Sequence, residues 1–128
     1  MFQSSDIAKL LLRVSLGVLI LFHGIHKVIH GVDGVKAMLS HAGLPEILSY
    51  GVYVGELIAP IFIILGLYAR VASLVLAFNM IVAIFLAYSF SFSLAKYGGL
   101  SMESPLIFFI MSILVFLLGS GKYGVNNR

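Results

Sequence analysis

Residues 48–89 read LSYGVYVGELIAPIFIILGLYARVASLVLAFNMIVAIFLAYS and carry only two charged side chains, Glu56 and Arg70. Tyr68-Ala69-Arg70 divides the stretch into two apolar runs, residues 48–67 and 71–89. Each is near the ~20 residues that cross a bilayer as a helix, the form that satisfies its own backbone in lipid. So short a connection between two spanning helices forces an antiparallel hairpin. Working outward, residues 7–28 and 101–119 form two further apolar windows of spanning length.

The remaining composition agrees. The 128 residues are 61% apolar and 10% charged, with a mean hydropathy of +1.12. A soluble domain runs near half apolar and a quarter charged, so this chain has too little polar surface to face water. The expected fold is all-α: one integral membrane domain, residues 1–128, built as a four-helix antiparallel bundle, with little chain left for a soluble catalytic unit. With no cysteine there is no thiolate nucleophile, disulfide exchange, iron–sulfur ligation or covalent haem attachment. Any redox chemistry must use a bound cofactor. The net charge of +3 comes from scattered basic residues with no stripe, which suits a membrane surface and excludes a nucleic-acid interface.

An even number of spans puts both termini on one side. That side carries Lys9, Arg13, Arg70, Lys122 and Arg128, and the other Lys27, Lys36 and Lys96, a bias that favours cytoplasmic termini in a bacterial inner membrane. The first span follows Lys9 and Arg13 as a signal peptide would, but no small-residue cleavage site follows it, so it is expected to be retained. Between glycine breaks at Gly31 and Gly43, Val32, Val35, Met38 and Leu39 recur at helical spacing, which predicts a short interfacial helix. The other long connection runs from Phe90 to Leu100. Phe85, Tyr88, Phe90 and Phe92 read as lipid-facing and interfacial aromatics. A faint repeat places Leu65-Gly66 before Arg70 and Leu118-Gly119 before Lys122.

Polar residues within the bilayer are costly, so each needs a partner, a cavity or a route to the interface. Arg13 lies roughly 7 Å to the terminal side of the first span's midpoint and Glu56 roughly 2 Å to the far side of the second's, an offset that extended side chains could bridge. Two readings follow: an ion pair that fixes packing, or a polar pocket that orients a ligand headgroup or carries protons. Pro60 has no N–H for the carbonyl of Glu56, so the helix can kink there and free that carbonyl. Gly51, Gly55 and Ala59 form a small-residue row for close helix packing or for an oligomer contact. His23, His26 and His30 share one face with Asp33 a turn beyond, a metal-ligand spacing at a depth where histidine is also comfortable unligated; no metal is expected. Asn79 reads as an interhelical hydrogen-bond donor. Glu103 reads as a helix N-terminal charge, or as the completion of a cluster with His23 and Lys27 at the pocket mouth.

These residues, in this order, resemble the DoxX family of small four-helix bacterial membrane proteins. The likeness runs through Leu11-Leu12-Arg13 and Gly17, His23-Gly24 and Lys27, Gly55-Glu56, Leu65-Gly66-Leu67 with Arg70, Glu103, and Gly119-x-Gly121-Lys122-Tyr123. The family's usual serine and aspartate after the tyrosine are replaced by Gly124 and Asn126, and His26 and His30 lie outside its pattern. The resemblance implies a redox association, because the family's namesakes are subunits of a thiosulfate:quinone oxidoreductase and other members are linked with oxidative-stress complexes. It carries over Arg13, Glu56 and Glu103.

The leading functional expectation is a small redox-associated subunit that binds a quinone or lipid-like ligand through Arg13, His23, Lys27, Glu56, Asn79 and Glu103, alone or beside a soluble or membrane oxidoreductase. The sequence names neither a cofactor nor a catalytic residue. A transporter or channel, in which Glu56 and the freed carbonyl form a mid-membrane site, is the second reading. The third is a structural partner or homo-oligomer assembled through Gly51, Gly55 and Ala59. Each embeds the chain in a lipid bilayer. The main cavity is expected to open away from the termini, lined by Arg13, His23, Glu56 and Glu103.

Overall fold

The computed structural model describes residues 4–88, 98–100 and 102–126, with side chains omitted at 87 and 88. Most of the Phe90–Leu100 connection, including Lys96, and the aromatic side chains of Tyr88, Phe90 and Phe92 lie outside the described residues, as does Arg128.

Helix α1 spans Ser4–His30 and α2 spans Asp33–His41. Helix α3 covers Glu46–Leu65 as one membrane-length rod of changing winding, α4 spans Ala69–Tyr88, and α5 spans Glu103–Leu118. By length and composition α1, α3 and α4 can each cross a membrane; α5 is a shorter apolar helix. The fold is the expected all-α membrane bundle. Its buried seam holds Leu16, Ile20, Ile63, Leu76 and Val115, while Leu11, Phe22 and Leu117 are about two-thirds exposed on the outside. An apolar core inside an apolar exterior is the pattern that lipid, rather than water, tolerates. Two buried serine hydroxyls are returned to their own helix backbone, Ser73 Oγ to the Arg70 carbonyl at 2.8 Å and Ser112 Oγ to that of Phe108 at 2.7 Å.

The α1–α3 register follows from glycine. Gly17 and Gly24 lie seven residues apart, hence on one face of α1. A Cβ on Gly17 would come within 2.9 Å of the Pro60 carbonyl oxygen, and one on Gly24 would collide with the carbonyl oxygen of Glu56. The two backbones approach as closely as small residues permit, and the Ile64 and Leu57 side chains fill the space that the glycines leave.

Pro60 acts on α3 as its chemistry requires. The turn Val54–Ile58 is wound as a π-helix, and the Ala59 N–H reaches back five residues to the Val54 carbonyl. The Glu56 carbonyl that Pro60 cannot serve lies against the Cα of Gly24. Gly55 is pressed against the Asn79 side chain, and Ala59 is buried. Two of the three small residues in that row are therefore used in packing within the chain, while Gly51 meets nothing within 4 Å of where its Cβ would be.

At the end of the bundle that carries the termini, α3 stops at Gly66, which adopts φ 70°. Gly66 N–H bonds the Ile63 carbonyl at 3.1 Å and Leu67 N–H that of Phe62 at 3.0 Å, the paired closure that glycine permits. Gly119 ends α5 with φ 75°, so the faint repeat marks two helix stops with the same backbone demand. The segment after Gly119 folds back onto the α3–α4 turn. Val125 and Asn126 N–H groups reach the carbonyls of Leu65 and Gly66, both at 3.1 Å, and Ser120 Oγ donates to the Gly66 carbonyl at 2.9 Å.

Candidate functional site

Arg13 is 1% exposed and belongs to that end of the molecule. Its Nε donates to the Ser120 carbonyl at 2.9 Å, and its Nη1 to the carbonyls of Ile63 at 3.2 Å and Ile64 at 3.0 Å. A cation thus serves the orphan carbonyls and the negative dipole end of α3. This corrects the expectation that Arg13 reaches Glu56. Ile63 is seven residues past Glu56, roughly 10 Å along a helix. The depth offset is not bridged, because carbonyl acceptors stand at the arginine's own level.

Glu56 takes its partner from the other end of α1. Lys27 Nζ lies 2.7 and 2.8 Å from the two carboxylate oxygens, and Asn79 Nδ2 donates to Oε2 at 3.1 Å. The Glu56 side chain is 5% exposed and that of Lys27 26%. Three helices meet here: Lys27 from α1, Glu56 from the π-turn of α3 and Asn79 from α4. The packing of Gly24 on the Glu56 backbone sets this register, since Lys27 follows Gly24 by three residues on nearly the same face.

The trio forms the polar wall of a cavity of about 770 Å³. Its other walls are mainly apolar: Ile20 from α1, Val52 and Gly55 from α3, Phe78 and Met80 from α4, and Pro105 and Phe108 from α5. Val35, Met38 and Leu39 of the predicted interfacial helix α2 close one side. The cavity lies toward the α2 end, away from Arg13 and the termini. His23 lines it and stands edge-on to Phe108, ring centroids 5.9 Å apart. His23, Lys27, Glu56 and Asn79 are therefore brought together, whereas Arg13 and Glu103 are not among the lining residues. Glu103 opens α5 with its carboxylate beside Gly99. The expected lining is corrected accordingly: Ser104 and Pro105 stand where Glu103 was placed, and Lys27 where Arg13 was.

The histidine face does not converge. α1 ends at His30, Gly31 turns the chain with φ 81°, and Asp33 begins α2. His26 and His30 meet with ring centroids 4.3 Å apart and planes tilted by 43°, and among the described residues no three His, Asp or Glu side chains gather as metal ligands. Outside the spans, Lys36 on α2 reaches Tyr50 Oη at 3.2 Å. This hydrogen bond to Tyr50 is the main reason its ammonium is held above the usual lysine range.

Sequence reasoning missed the Lys27–Glu56 pairing and the walls supplied by Phe108 and Met80. The signal for the first was the Gly17–Gly24 spacing, which marks the face of α1 that meets α3 and so points to Lys27 as the basic residue level with Glu56.

Comparison with known proteins agrees with this architecture. Over 84 residues the chain is 33% identical to a protein of Bacillus subtilis (strain 168) named "Putative oxidoreductase CatD", a match covering 66% of this chain. The matched region spans 62% of that relative's length. No solved structure matches the chain. Residues 8–89, which include most of α1, all of α2, α3 and α4 and the whole Lys27–Glu56–Asn79 trio, match the DoxX family profile, and the chain belongs to the DoxX family.

Proposed function

We propose that this protein is a redox-associated subunit of the bacterial inner membrane that holds a quinone or lipid-like amphiphile in the cavity beside Lys27, Glu56 and Asn79. The observation that carries the reading is the cavity itself: about 770 Å³, largely apolar, with polar groups concentrated at His23 and the trio. Ligand sites are built this way, apolar for affinity with a few polar atoms for orientation. A flat ring with a long apolar tail fits such walls, and its carbonyl meets the ammonium of Lys27. The name of the Bacillus relative adds oxidoreductase chemistry to the reading. Arg13 and Glu103 take structural parts in it: Arg13 ties α3 to the chain after α5, and Glu103 places a negative charge at a helix start.

The transporter reading relied on the freed carbonyl of Glu56, which Gly24 covers; the oligomer reading relied on a row of which Gly55 and Ala59 are buried. The excess of basic residues at the terminal end supports cytoplasmic termini, where a soluble oxidoreductase partner would dock. Extraction of purified protein and mass spectrometry of the organic phase tests the proposal. A quinone or amphiphile at near-stoichiometric amount is expected, and it should fall several-fold in Glu56→Gln. Absence of any retained amphiphile, with proton flux in liposomes instead, would overturn it.

A further inference from the structure

The seam between α3 and α4 holds a second space beside the cavity. In this antiparallel pair Gly55 is pressed against Asn79. Counting from that contact toward the α2 end, Val52 stands roughly level with Val82, Gly51 with Ala83 and Leu48 with Leu86, and all six line the cavity. Counting the other way, toward the termini, the seam holds a groove of about 260 Å³. Its walls are Val54, Ile58 and Phe62 from α3 and Val71, Ala72 and Val75 from α4, with Tyr68 at the far end. Val75 also lines the cavity, one turn along α4 from Asn79, so groove and cavity adjoin at this residue. The groove faces outward: Val54, Ile58 and Val71 are about half exposed on the surface that meets lipid.

Resting on the amphiphile reading above, we propose that this groove is the tail subsite of the cavity. The ligand's polar head meets Lys27, Glu56 and Asn79, and its apolar tail passes Val75 and lies between α3 and α4 toward Tyr68. The site therefore takes a long-tailed amphiphile already dissolved in the bilayer, admitted sideways through the seam and not from water. Polarity carries the first half. The groove's lining holds no charged side chain, and its one hydroxyl belongs to Tyr68, so it suits only the apolar part of such a ligand. From Asn79 to Val71 is roughly 12 Å along α4, a run that a head seated on the trio leaves open to a tail. The surrounding solvent carries the second half. Entry from an aqueous face would draw the tail through water, at a cost that grows with every methylene. A lipid-facing seam keeps the tail in apolar surroundings throughout. Phe78, which lines the cavity and is 69% exposed, brings the cavity wall to that lipid-facing surface. Because lipid is as apolar as the groove's own side chains, the groove contributes position more than affinity. Its signature is where the tail lies.

The test locates the tail in the purified full-length protein in nanodiscs. The probe is a fully substituted benzoquinone with a decyl tail ending in a diazirine, and the competitor is the same ring without the tail. After irradiation, mass spectrometry of the peptides is expected to find label within residues 54–62 and 68–75. Excess competitor should reduce that label several-fold, because one molecule fills head site and groove together. In Ile58→Trp, which fills the groove from its lipid-facing side, label on Val71 should also fall several-fold. Label on Val71 that persists undiminished in Ile58→Trp overturns the inference. So does competed label on α2 or α5 with groove label indifferent to the competitor, the pattern of a groove that holds bulk lipid only; the head site then still stands. No competed label anywhere on the chain overturns the amphiphile reading beneath it as well.

Discussion

Replacing Lys27 and Glu56 singly and together weighs the pair that holds the polar wall. In Lys27→Met, a carboxylate 5% exposed keeps only the Asn79 amide at 3.1 Å, and breaking a buried pair in this way costs about 3–5 kcal/mol. In Glu56→Gln the remaining charge is an ammonium 26% exposed and facing the cavity, so the penalty is smaller, about 2–3 kcal/mol after allowing for its exposure. The double variant holds no charge, and the glutamine carbonyl still accepts from Asn79, so its loss is about 1 kcal/mol. The singles therefore exceed the double, with a coupling of about 4 kcal/mol or more and Lys27→Met the worst of the three. Unfolding free energies from denaturing-detergent titrations in mixed micelles, followed by circular dichroism, give all four corners of the cycle. Losses that add to within about 0.5 kcal/mol would refute direct pairing. Arg13→Leu combined with Glu56→Gln is the matched control. It should be additive, because Arg13 is bonded to the carbonyls of Ser120, Ile63 and Ile64 and makes no bond to Glu56.

Three further outcomes are expected. Arg13→Leu removes donors from three carbonyls at once and should cost about 3 kcal/mol or more in the same titration; a change under about 1 kcal/mol would mean those carbonyls find other partners. Gly24→Ala places a methyl on the Glu56 carbonyl oxygen and should cost about 1–3 kcal/mol, whereas Gly34→Ala, with nothing within 4 Å of its Cβ position, should be nearly neutral. Equal melting temperatures for the two alanine variants would contradict the close α1–α3 approach. In this cysteine-free chain, Ser40→Cys on α2 should react with an impermeant maleimide added outside intact cells and Ser5→Cys should not; the reverse pattern would invert the proposed orientation.

Much of the architecture was legible because it depends on patterns that one residue's neighbours along the chain already define. Apolar runs of bilayer length separated by Tyr68-Ala69-Arg70 leave no structure but a helical hairpin, and the glycines at 31, 43 and 66 mark breaks that only positive φ satisfies. The recurrence of Val35, Met38 and Leu39 between two of those breaks was enough to expect α2, although not that it closes a cavity. Pro60 announced its disturbance of α3 because the missing N–H is a local fact; that the helix would answer with a π-turn and hide the freed carbonyl under Gly24 depended on a neighbour 36 positions away.

The partners of the buried charges show the same division. The sequence alone determined that Arg13, His23, Glu56 and Asn79 could not simply face lipid, since hydrocarbon offers a polar group nothing to bond. It did not determine who meets whom. By depth along the spans Arg13 stood roughly 9 Å and Lys27 roughly 12 Å from the level of Glu56, on opposite sides of it, and extended side chains left both in contention. The choice was made by the antiparallel register of α1 on α3, fixed where the bare Cα atoms of Gly17 and Gly24 let two backbones touch. It was made also by the chain after α5, whose Ser120 carbonyl joined those of Ile63 and Ile64 in occupying Arg13. Composition along the chain decides the solvent a segment must face; the register of one helix on another is a property of their packed surfaces, and it assigned Lys27 rather than Arg13 to the acid in the cavity wall.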